Sequence, residues 1–132
     1  MSGTNMFENH SGLKKVLISG QRPEICKLFE MLMSQQDRLF VRSKGIGQCF
    51  DLAVKTRPAL IIIDCTMLDP RICHAGIATL KESAATAGIP ILIISDPEYA
   101  DGEASTLRDI AEGVLSEPFN PAEIKKMVEE YL

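Results

Sequence analysis

The chain reads as an α/β domain of (βα)5 type, a doubly wound parallel sheet of five strands in the order 2-1-3-4-5. Three observations predict it. From Lys14 to Leu132, short apolar runs of strand length alternate with longer segments whose apolar residues recur at helical spacing. The runs lack polar alternation, as expected of strands covered on both faces. Asp69-Pro70, Asp96-Pro97 and Asn120-Pro121 each place a side-chain acceptor before a proline that needs no amide partner, which marks three helix starts. Right-handed crossovers between successive strands then make the sheet parallel, with helices on both faces.

Taken in order, the strands are Val16-Leu17-Ile18, Leu39-Phe40-Val41, Ala59 to Ile63, Pro90 to Ile94, and the short Gly113-Val114-Leu115-Ser116. The third and fourth are the most apolar and belong in the centre. The second, with Arg42 and Lys44 at its end, and the fifth suit the edges. Between them, Ile25, Leu28, Phe29 and Leu32 make one helical stripe. Ile46, Cys49, Phe50 and Ala53 make a second, and Cys73, Ile77, Leu80 and Ala84 a third. A weaker helix from Glu103 to Ala111 is anchored by Leu107 and Ile110, and the last by Ile124, Met127, Val128 and Tyr131. Glu123 adds an acid at the third position of that last helix, where it favours the positive end. Gly88 and Gly113 read as helix exits into strands. Residues 1–13, small and polar, read as a disordered arm ahead of a single domain over 14–132.

At 132 residues the chain suits one domain with one well-buried core. A formal charge of −4 supplies no basic field for nucleic acid. No apolar run is long enough to span a bilayer, and the N-terminus lacks the order of a signal peptide, so the expected compartment is the cytoplasm. Cys26, Cys49, Cys65 and Cys73 show no Cys-x-x-Cys spacing and read mostly as small core hydrophobes. A metal site from Cys65 with Cys73-His74 is disfavoured, because adjacent helical residues diverge and no fourth ligand suggests itself.

In an open parallel sheet the site lies beyond the carboxyl ends of the strands. That rule gathers Gly20, Gln21, Arg22, Asp64, Thr66, Ser95 and Glu117 at one rim. Asp64 closes the most apolar stretch of the chain, and an acid at the mouth of a buried strand is a candidate reactive group. Arg22 is expected to pair with Asp64 or Glu117 and lock the rim without metal. Thr66 is expected to offer only its carbonyl, and Ser95 reads equally as a plain hydroxyl at a strand end.

Ile61-Ile62-Ile63-Asp64, Ile93-Ile94-Ser95, Ser116-Glu117-Pro118-Phe119 and Arg57-Pro58 together resemble the receiver domains of response regulators in two-component signalling. The resemblance covers Lys14 to Leu132 and implies a flavodoxin-like receiver fold with Asp64 at the phosphoacceptor position. It implies a hydroxyl for the bound phosphoryl group at Ser95, and Mg²⁺ held by Asp64, an acidic pair after the first strand and the Thr66 carbonyl. The chain departs from that pattern where the chemistry is done. Gly20-Gln21 stands for the acidic pair, Glu117 for a lysine that neutralises phosphoryl charge, and Val114 for an aromatic switch residue. Phosphoryl transfer rests on positioning and charge neutralisation, and Mg²⁺ needs one or two carboxylates, so metal binding is expected to be weak or absent.

The reading is a pseudo-receiver that is not an enzyme, needs no cofactor and acts by protein contact. That contact is expected through its fourth helix, fifth strand and fifth helix, with a histidine kinase, a downstream effector or a second copy as partner. One alternative is an active, atypical phosphoacceptor whose Mg²⁺ is completed by Glu117 or Asp69. Another is a small phosphatase with an aspartyl nucleophile, suggested by Asp64-Cys65-Thr66 but lacking the later lysine and paired acids. A cofactor-binding flavodoxin-like domain has only Gly20 to recommend it, with no glycine-rich phosphate loop.

Overall fold

The computed structural model describes residues 13–34, 37–96 and 109–132. Five parallel strands form one sheet in the order β2-β1-β3-β4-β5, as the alternation of runs predicts. They are β1 (Lys14–Ser19), β2 (Arg38–Ser43), β3 (Leu60–Asp64), β4 (Ile91–Ser95) and β5 (Gly113–Ser116). Four helices accompany them among the described residues: α1 (Pro23–Leu32), α2 (Ile46–Thr56), α3 (Pro70–Glu82) and α4 (Pro121–Tyr131). The expected N-terminal arm up to Gly12, Pro97 of the Asp96-Pro97 helix start and Glu103 to Arg108 of the weaker helix fall outside the described residues. Its end is seen, since Asp109 and Ile110 are helical.

The sheet separates two cores, and the period-2 geometry of a strand decides which residue serves which. Leu17, Ile61, Ile63, Ile91 and Ile93 point to the side covered by α2 and α3. Val16, Ile18, Leu60, Ile62, Leu92 and Ile94 point to the side covered by α1 and α4. Every residue of β3 and β4 is buried, which explains why these two runs are unbroken by polar residues. At the edges, β2 is largely half-exposed and β5 is four residues long.

Caps fix where the helices begin. Asp69 accepts the Arg71 amide at 2.8 Å, and Asn120 accepts the amides of Ala122 and Glu123 at 2.9 and 3.4 Å. One expected exit is displaced. Helix α3 stops at Glu82 with Ser83 as its C-cap, and Gly88 lies in a separate turn, so Ala84 is not helical. The Ser83 carbonyl accepts the amides of Thr86 and Ala87, while the buried Thr86 hydroxyl donates to the Leu80 carbonyl at 2.6 Å. That hydroxyl satisfies the end of the helix before Gly88 is reached.

All four cysteines are buried in the core, as their reading as small core hydrophobes expects, but two of them are also bonded to each other. Cys65 and Cys73 form a disulfide with their Cα atoms 6.1 Å apart. A separation of eight residues has no signature of its own; the chain's turn from β3 into α3 makes the two meet. Cys26 and Cys49 are free and buried, as small core hydrophobes.

Candidate functional site

The carboxyl ends of β1, β3 and β5 converge because their registers align. Ser19 lies beside Ile63, Asp64 beside Ile94, and Ser95 beside Ser116. Asp64, the last residue of β3, therefore sits at the rim, yet it is only 5% exposed. A carboxylate so buried needs partners.

Arg22, just ahead of α1, supplies half of the hydrogen bonds that the carboxylate receives. Its Nε donates to Asp64 Oδ2 at 2.7 Å and its Nη2 to Oδ1 at 3.2 Å, a bidentate pair. Its Nη1 donates to Glu117 Oε1 at 2.8 Å. The two pairings that the sequence offers as alternatives are both made, by one guanidinium. Hydrogen bonding and the charge of the two carboxylates hold the Arg22 pKa well above its ordinary value, with Asp64 the larger influence.

Thr66 completes the shell in a way the sequence reading missed. Its hydroxyl donates to Asp64 Oδ1 at 2.6 Å and its amide to the same oxygen at 3.1 Å. The side chain thus matters as well as the backbone. An Asp followed two residues later by a hydroxyl residue is the pattern of a side chain that folds back on its own turn, and that signal was present.

The other rim residues are placed as follows. Gly20 packs so close to Asp64 that a Cβ added to it would lie 2.9 Å from Asp64 Cβ. Gln21 is exposed. Ser95 is buried, and its hydroxyl donates to the Asp96 carbonyl at 3.2 Å rather than to Asp64. Glu117 is held by the turn it belongs to: the Glu117-Pro118 peptide is cis, and Phe119 packs edge-on against Phe29 of α1 with ring centroids 5.5 Å apart. Asp69 is exposed and bound to Arg71, which lowers its pKa, chiefly through the side-chain hydrogen bond. Among the described residues no three His, Cys, Asp or Glu side chains gather as a metal cluster.

Solved structures share this architecture. A response regulator from Chloroflexus aurantiacus matches with a TM-score of 0.76 at 18% identity, over 90% of this chain and 97% of that one. The fold is the receiver fold of response regulators. A receiver domain of a sensor histidine kinase from Pseudomonas aeruginosa, solved with magnesium in its active-site cleft, has a TM-score of 0.75 at 16% identity, over 90% of this chain and 97% of that one. A response regulator from Burkholderia multivorans gives 0.69 at 24% identity, over 89% of this chain and 94% of that one. No protein-family model and no curated protein matches the chain. Within the receiver fold, Asp64 stands at the carboxyl end of the central strand, and Arg22 fills the space above it with positive charge.

Proposed function

We propose that the chain is a receiver-like signalling module that acts by protein contact, its Asp64 pocket held by Arg22 in place of Mg²⁺. One observation carries this reading: a single guanidinium binds both oxygens of Asp64 and reaches Glu117. Asp64 is then engaged at both oxygens and cannot approach a phosphorus centre without first losing that pair. The donor set also does not suit Mg²⁺. Gly20 and Gln21 bring no carboxylate, Asp64 and Glu117 are bridged by a cation, and Asp69 is committed to its cap and to Arg71.

The partner is a signalling protein, a histidine kinase or a downstream effector, in the cytoplasm. The surface offered is the side of β5 and α4, where Val114 takes the place of an aromatic switch. The phosphatase and cofactor-binding readings find no support among the described residues, none of which places a lysine in hydrogen-bond contact with Asp64.

The test is incubation with a small acyl phosphate and Mg²⁺, followed by intact mass, on the wild type and Asp64→Asn. The expected result is no phosphoryl adduct on either. An adduct on the wild type alone would establish the active phosphoacceptor instead.

A further inference from the structure

The disulfide lies against the pocket. Cys65 directly follows Asp64, and Cys73 lies in the first turn of α3. Between them runs the segment 66–72, whose Thr66 grips Asp64 Oδ1 through amide and hydroxyl. The free cysteines are of another kind: Cys26 and Cys49 sit on α1 and α2, and burial pushes both thiols up, Cys49 to about 11, so neither is a thiolate at neutral pH. The disulfide is placed on the loop that holds the central carboxylate, apart from the two inert thiols.

We infer that Cys65 and Cys73 form a thiol–disulfide exchange site for a low-molecular-weight thiol, and that its state sets how firmly the 66–72 segment holds Asp64. Of the two, only Cys65 keeps any exposure, 4% against 0%. An incoming thiolate attacks Cys65 Sγ, forming a mixed disulfide as the Cys65–Cys73 bond breaks, and the electron pair leaves on Cys73, which takes up a proton. A second small thiol displaces the first and leaves Cys65 as a thiol. In sum, one protein disulfide and two small thiols give one protein dithiol and one small disulfide, a transfer of two electrons. With the bond open, the loop between β3 and α3 loses the cross-link that closes it, and Thr66 is freer to leave Asp64. This holds whether or not Asp64 accepts a phosphoryl group.

The experiment equilibrates the protein in buffers of graded reduced-to-oxidised glutathione ratio, quenches with acid, alkylates in denaturant and reads intact mass. Amide spectra are recorded in the same buffers. Two alkylated thiols are expected at the oxidised end and four at the reduced end, with the Thr66 amide resonance moving in step. Cys65→Ser should show three thiols throughout, whereas Cys73→Ser should show three at the reduced end and, at the oxidised end, two with one glutathione carried on Cys65. Four thiols at every ratio, or two at every ratio, overturns the proposal. A transition that leaves the Thr66 resonance in place, or that persists in Cys65→Ser, overturns it as well. The wild-type series decides the matter even where a variant fails to fold.

Discussion

Arg22 meets two carboxylates in different surroundings: the Asp64 side chain is 2% exposed and that of Glu117 36%. Burial decides which bond matters. Replacing Arg22 by Met keeps the bulk but leaves Asp64 buried with only Thr66 as donor, and should cost about 2 kcal/mol in urea unfolding. Glu117→Gln breaks a pair open to solvent and should cost under ~0.5 kcal/mol in the same assay. Thr66→Val keeps the branched shape and the amide but removes the 2.6 Å hydroxyl bond, for an expected loss of about 1 kcal/mol. Charge complementarity made the Arg22 pairing legible in the sequence, where a base follows Gly20-Gln21 and an acid stands at Glu117 beyond the fifth strand. The disulfide was not legible, because eight residues of separation say nothing until the β3–α3 turn is built.

The helices begin where their chemistry says and end less predictably. At α4, Asn120 satisfies two amides that would otherwise face water, and Asn120→Ala should lower stability by about 1 kcal/mol, measured as a shift in the urea midpoint. Helix starts are readable because the cap is a side chain, named in the sequence. The end of α3 was misread at Gly88 because its stop depends on Thr86 reaching back to Leu80, a contact between a turn and a helix. The first two strands were read in the right places but short, β3 and β4 at the right length but one residue early, and β5 with its observed bounds. The apolar cores of β1 and β2 were visible, whereas Lys14 beside Arg38 and Ser19 beside Ser43 extend the ladder with residues that no apolar run includes. At Lys14 pairing continues past the point where burial stops, while Ser19 and Ser43 are polar residues buried within the ladder.

Across the whole molecule, the sheet order follows from apolar content: the two fully buried strands lie inside and the charged and short ones outside. The core that this creates carries a titrating group. Burial raises the Cys49 thiol from the ordinary value of 9.0 to about 11. Between those two values the unfolded chain has lost a proton that the folded chain keeps, so the unfolded state binds fewer protons and stability falls as pH rises. The contribution is complete below pH 9.0 and is lost on rising through about 11. Urea midpoints recorded across that window should decline in the wild type and decline less in Cys49→Ala. Gly20 has a consequence of a different order. Its backbone rests against Asp64 Cβ, so any side chain placed at that position meets the carboxylate it would have to work beside. An engineer wishing to build an acidic rim there must shift β3 or start from the exposed Gln21.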